Sequence, residues 1–179
     1  MSLSTPYRER IASLLQELGI SSSYAEVSGM QLHEEALDLC PVGQDLYGRD
    51  QRLTPPTAAA WQLMREAAAS EGVELLLVSG FRSVDRQREI WQRKLASGQT
   101  VAQILTVNAA PGYSEHHTGR AIDIAEAGQP PLTEEFETTA AFAWLAGNAD
   151  RFGFTMSYPR NNPYGVIYEP WHWALTRQS

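Results

Sequence analysis

The sequence predicts an α+β fold. Helical segments come first, short apolar runs bounded by turn residues cluster late, and the two do not alternate in the regular manner of βαβ units. Thr5-Pro6 opens a first helix, with proline tolerated in the first turn. Ile11, Leu14, Leu15 and Leu18 follow at helical spacing, and Gly19 stops the run. Residues 20–53 read as irregular, punctuated by Pro41, Gly43 and Gly48. Thr54-Pro55-Pro56 starts a second helix carrying Trp61, Met64 and Ala68 on one face, and Gly72 ends it.

The run Val73 to Val78, closed by Ser79-Gly80, reads as a buried strand. Ser83 caps a third helix with Ile90, Trp91 and Leu95 inside, and residues 100–107 add a further helical stretch. Ala121 to Ile124 is a second strand. A fourth helix is expected over residues 134–148, with Phe136, Ala140, Ala141, Trp144 and Leu145. Phe152-Gly153-Phe154 begins a third strand, Pro159 to Gly165 is a turn-rich loop, and Trp171 to Leu175 makes a last strand.

At 179 residues the chain is long enough for one domain with a substantial core. With 21 acidic and 14 basic residues the net charge is -7, which argues against nucleic acid or an anionic membrane as the main partner. The single cysteine, Cys40, excludes a disulfide scaffold and a multi-cysteine zinc ribbon. No stretch approaches the roughly 20 apolar residues of a membrane span. Residues 1–20 scatter charges and contain no apolar core of a signal peptide. The expected compartment is therefore the cytoplasm if Met1 is near the native start, and otherwise the periplasm or cell envelope after signal removal.

Two segments place polar residues in apolar surroundings. In 112–123, GYSEHHTGRAID, an aspartate stands inside the apolar run Ala-Ile-Asp-Ile; in 168–173, YEPWHW, a histidine stands between two tryptophans. A buried carboxylate needs a cation, and a buried imidazole needs partners for its nitrogens. A catalytic zinc site accounts for both, because zinc takes imidazole nitrogen and carboxylate oxygen and keeps one position open for water. His116, Asp123 and His172 supply that set in type. Glu169, three residues before His172, suits a general base and later a general acid. In the third segment, SGFRSVDRQ, Arg82 sits where a strand meets a helix and suits a substrate carboxylate, while Gln87 and Ser114 offer further hydrogen bonds. Trp171 is expected to wall the site and Tyr158 to reach substrate from its loop. His33, within Leu32-His33-Glu34-Glu35, reads as solvated surface.

The segments SGFRSVDRQ, SEHHTGRAID and YEPWHW resemble the VanY-type D-alanyl-D-alanine carboxypeptidases, a zinc-peptidase family that also includes LD-carboxypeptidases and D-Ala-D-Ala dipeptidases. The resemblance runs from about residue 53 to 175. It implies Zn2+ held by His116, Asp123 and His172, Glu169 as catalytic base, and Arg82, Gln87 and Ser114 at the substrate's terminal carboxylate or scissile group. Taken alone, either member of the His116-His117 pair could bind metal. The family spacing picks His116 and leaves His117 to hydrogen bonding behind the ligands or to the pocket wall. The implied fold is a small antiparallel sheet flanked by helices, with the zinc site at one face. A single peptidase domain over 1–179 follows, in which 1–52 is a helical and irregular extension. The implied partner is a peptidoglycan stem peptide (a muropeptide), cut at its last D,D- or L,D-bond; the oligomeric state is left open. A non-catalytic zinc-containing module that binds cell-wall peptides, or a D,D-dipeptidase or endopeptidase of the same family, are the alternatives.

Overall fold

A computed structural model describes residues 3–176. Helix α1 (Thr5–Glu17) buries Ile11, Leu14 and Leu15, and Gly19 takes φ +71° just beyond it. Region 20–53 differs from the expected irregular chain. It holds a short helix α2 (Tyr24–Ser28) and an antiparallel hairpin, β1 (Cys40–Gln44) with β2 (Asp50–Leu53). Strands this short and this exposed lack the apolar alternation that marks a strand in sequence. The hairpin turn is held instead by the Asp45 carboxylate, which accepts from the backbone of Tyr47 and Arg49 and from Arg49 Nε.

Helix α3 (Pro55–Ser70) buries Thr57, Trp61, Met64 and Ala68 along one stripe. Strand β3 covers Leu76–Ser79, beginning later than the apolar run predicts. Helix α4 (Val84–Ala96) is N-capped by the Ser83 hydroxyl, which accepts from Arg86 N at 3.0 Å. Helix α5 (Val101–Val107) starts on a Thr100/Gln103 capping box. The expected helix over 134–148 is divided. Residues 134–138 form a 3-10 turn, and the extended Thr139 then caps α6 (Ala140–Asn148) by accepting from Phe142 N.

Strands β4 (Ala121–Ala125), β5 (Phe154–Met156) and β6 (His172–Leu175) join β3 in a four-stranded antiparallel sheet of order β3-β4-β6-β5. Every residue of β4 is buried, so both faces of the sheet are covered. Alternation then decides the chemistry. Ile122, Ile124, Trp173 and Leu175 join Trp61, Met64, Trp144 and Leu145 in one core. Asp123 and His172 are register partners on the adjacent strands, and their side chains share the opposite face. A second core lies on that side, built from Ile11, Leu14, Leu15, Tyr24, Val84, Trp91, Ile104 and Tyr158. The functional side chains stand in the seam between the two cores.

Residues 3–52 supply the segment that packs onto this seam. Ala36 N donates to His117 O, His33 N to Gly112 O at 2.8 Å, and the Glu35 carboxylate accepts from Val84 N at 2.7 Å. Gly112 is one point where this packing is tight. It adopts φ +90°, and a Cβ there would lie 2.9 Å from Ile11 side-chain carbons. Gly112→Ala is expected to cost about 1–3 kcal/mol, combining backbone strain with overpacking. Urea unfolding of wild type and variant measures it, and a cost near zero would mean that α1 is not held against this loop.

Candidate active site

Residues 115–118 fold as a 3-10 turn ended by Gly119 at φ +63°. In such a turn successive side chains diverge by about 120°, which separates His116 from His117. His116 Nδ1 donates to Gly80 O at 2.7 Å, so its Nε2 faces Asp123 Oδ2 at 3.2 Å. His117 points away. Its Nδ1 donates to Arg82 O and its Nε2 accepts from Gly112 N at 3.0 Å, so both nitrogens are used and neither faces the cluster. Burial holds this imidazole neutral, with its pKa pushed down to about 3.

His172 turns Nδ1 to Asp123 Oδ1 at 3.0 Å and Nε2 to Glu115 Oε2 at 2.8 Å. Burial alone would lower its pKa, but the hydrogen bonds to Asp123 and Glu115 raise it to about 10. Burial would raise Asp123, yet His116 and His172 hold its carboxylate far below the usual range. One ligand atom each from His116, Asp123 and His172 lies within 4.8 Å of the others, all three residues buried. Tetrahedral coordination with bonds of 2.0–2.1 Å has ligand–ligand edges of roughly 3.3 Å; the His116 and His172 contacts to Asp123, 3.2 and 3.0 Å, are of that order, though each meets a different carboxylate oxygen. The donor set and spacing therefore fit a metal ion.

Glu169 stands at the same place. Its N–H donates to Tyr158 O, and its carbonyl accepts from His172 N at 3.1 Å, a turn that sets the two side chains side by side. Glu169 Oε2 lies 3.9 Å from His172 Nδ1. Burial pushes its carboxyl up to about 7. Arg82 is buried next to it. Nη1 donates to Gln87 Oε1 at 2.9 Å, Nη2 to Ser79 Oγ at 3.1 Å, and Nη2 is 3.8 Å from Asp123 Oδ2. The amide of Gln87 is fully engaged, because its Nε2 donates to Ala109 O at 2.7 Å. Gln87 therefore orients Arg82 in addition to lining the cavity.

A cavity of about 250 Å³ brings His116, Asp123, His172, Glu169, Arg82, Gln87, Ser114, Tyr158 and Trp171 together, so every residue singled out for the site in the sequence lines it. Tyr158 is buried, with its ring 4.9 Å from that of His172. The expectation for His33 is corrected. It is half-buried and lines a smaller neighbouring cavity with Glu115, Tyr113 and Tyr158, because the N-terminal segment crosses the site there.

Glu115 is the functional group that sequence reasoning missed. Burial would raise its carboxyl, but the hydrogen bond from His172 holds it down to about 2. It fixes the His172 ring with Nδ1 toward the cluster, and its one signal in the sequence is its place directly before His116. Outer carboxylates of this kind typically contribute 10–100-fold to metal affinity. Glu115→Gln is expected to weaken zinc binding by about that factor with the fold retained, as read by chelator competition and circular dichroism. Unchanged affinity would exclude the orienting role. His117→Ala, by contrast, should keep metal stoichiometry and cost about 2–4 kcal/mol of stability, since it strands two buried backbone groups.

Known proteins are similar to this chain in sequence and fold. The YodJ protein of Bacillus subtilis (strain 168) is 41% identical over 119 residues, 64% of this chain and 43% of that one. The structure of the LdcB LD-carboxypeptidase matches at TM-score 0.73 and 34% identity, covering 82% of this chain and 72% of that chain. The Zn(II) complex of the D,D-pentapeptidase VanY from a VanB-type resistance cassette matches at TM-score 0.62 and 32% identity, covering 79% and 80%. The chain spans about two fifths of the length of the first curated relatives it matches. The family profile of VanY, D-alanyl-D-alanine carboxypeptidase, matches residues 50–177 and so takes in β2, the whole four-stranded sheet and the His116, Asp123 and His172 motifs; the chain belongs to that family.

Proposed function

We propose that the protein is a zinc carboxypeptidase that removes the C-terminal D-amino acid of peptidoglycan stem peptides at a D,D- or L,D-bond. The observation that carries this reading is Glu169, a buried carboxyl raised to about 7 beside the His116/Asp123/His172 cluster, in a cavity that also holds Arg82. A module that only bound peptide would have no use for such a group.

Zinc held by His116 Nε2, Asp123 and His172 Nδ1 would polarise a carbonyl and lower the pKa of water to around 7. The chain's own residues supply the rest. Glu169 takes a proton from the attacking water as the oxygen adds to the scissile carbonyl carbon. Its raised pKa lets it hold that proton and deliver it to the leaving nitrogen as the C–N bond breaks. Arg82, fixed by Gln87 and Ser79, puts positive charge beside the reacting group without having to reorganise. Ser114 offers a hydroxyl to the peptide, and Trp171 and Tyr158 exclude water from the walls.

The test is mass spectrometry of zinc-loaded protein with a stem tetrapeptide and a stem pentapeptide. Loss of one C-terminal residue is expected, and the peptide that loses it assigns the bond. Intact peptides in both reactions would overturn the reading, and loss of two residues at once would mark a dipeptidase. Glu169→Gln should keep zinc and lose about 10²–10⁴-fold in kcat. Full activity in that variant would remove Glu169 from the role of base.

A further inference from the structure

The cavity contains two polar groups that neither the metal cluster nor Arg82 uses. Lys94 lines it from α4 and makes no ion pair among the described residues. Asn108 lines it from the end of α5, and its Oδ1 is buried with no hydrogen-bond partner. Its backbone N–H is already given to Ile104 O at 2.8 Å, so the side chain alone is free. The neighbouring Ala109 carbonyl accepts from both Gln87 Nε2 and Trp91 Nε1 and has nothing left to offer. An unpaired buried acceptor is costly, and the cost is relieved once a donor reaches it.

Their placement follows from the helix. Lys94 is seven residues, two turns, beyond Gln87 and shares its face, about 10 Å along the axis. Helical side chains lean toward the N-terminus, so the lysine leans back toward Gln87. Arg82 is tied close to Asp123. A carbonyl reacting at the metal cluster is therefore already beside Arg82, whereas the carboxylate of the last residue lies one chain step further, roughly 3.8 Å. Burial, and then the charge of Arg82, push the Lys94 ammonium's pKa down, as expected of a cation lacking its counter-ion.

We propose that Lys94 and Asn108 together read the C-terminal residue of the substrate, the Lys94 ammonium pairing with the terminal carboxylate and Asn108 Oδ1 accepting the scissile amide N–H. This rests on the peptidase reading above and adds to it the source of exopeptidase specificity. An acceptor and a cation match the N–H and carboxylate that flank a single α-carbon. An internal peptide segment or an amidated terminus offers the first and lacks the second.

Steady-state kinetics on a stem peptide ending in free D-alanine, and on its C-terminal amide, test the proposal. Lys94→Met should raise KM for the free acid about tenfold or more with kcat within about threefold, and erase the same factor of preference over the amide. Lys94→Arg should restore most of both. Asn108→Ala should lower kcat/KM about tenfold on the acid and the amide alike. A KM within twofold of wild type in Lys94→Met, with the preference intact, would overturn the proposal. Binding separates this outcome from failure of the peptidase reading. Quenching of tryptophan fluorescence by the free-acid peptide, in zinc-loaded Glu169→Gln with and without Lys94→Met, should report a loss of affinity of about tenfold. If wild type cleaves nothing but this difference appears, the subsite stands and the peptidase reading falls. If the affinity is unchanged by Lys94→Met, the subsite falls whatever the activity.

Discussion

Asp123 sets the conditions for everything around it. A carboxylate on a strand with both faces covered is far from water, and an uncompensated buried charge costs several kcal/mol. Its two oxygens are met separately, one by His116 and one by His172, with Arg82 3.8 Å from the first. Sheet pairing guarantees the second contact, because His172 is the register partner of Asp123 on β6. Gly80 guarantees the first by accepting from His116 Nδ1 at the end of β3. Three of the sheet's four strands, β3, β4 and β6, thus also deliver the three sides of the site. A shift of one residue in the pairing would send Asp123 into the Ile122 and Ile124 core.

The second core explains why the site can be rigid without being closed. On one side of the sheet, α3 and α6 give an ordinary apolar layer. On the other, helices α1, α4 and α5 share the second core, and the cavity is left where α4 and the end of α5 face β4. His117 ties the layers by bridging Arg82 O and Gly112 N. The loop that carries His116 is therefore clamped from behind by a residue of the same type that never meets the cluster. This division of labour within one His-His pair is a property of the 3-10 turn, whereas an extended segment would have reached the separation by alternation.

Legibility in the sequence followed the contrast between a residue and its surroundings. Asp123 inside an apolar run and His172 between two tryptophans stood out because their neighbours had to be buried. Glu169 is legible through its spacing to His172, and Arg82 through its place where a strand meets a helix. Glu115 and His33 lie among polar neighbours, where a buried functional group reads like a solvated one. The β1/β2 hairpin was missed because its stability comes from Asp45 capping its turn, not from an apolar alternation. Thr139 divided the expected long helix because a capping hydroxyl competes locally with helical propensity. Gln87 was read as a hydrogen-bonding group and is one, but its amide is directed at Arg82 and Ala109, which only the fold brings within reach.

Besides Asp123, two glutamates flank His172, and their environments push their pKa values apart. Glu115 accepts a hydrogen bond from Nε2 and is held down to about 2, so it stays charged and holds the ring. Glu169 lies 3.9 Å from Nδ1, too far for that hydrogen bond, and burial drives it up to about 7. Oppositely shifted neighbours of this kind separate a structural anion from a group able to exchange a proton near neutral pH. The distinction does not depend on which residue is closer in sequence to a ligand, since Glu115 adjoins His116 and Glu169 is three residues from His172. It depends on hydrogen bonding: the carboxylate whose charge is satisfied orients, and the one whose charge is left unsatisfied by burial is free to carry the proton.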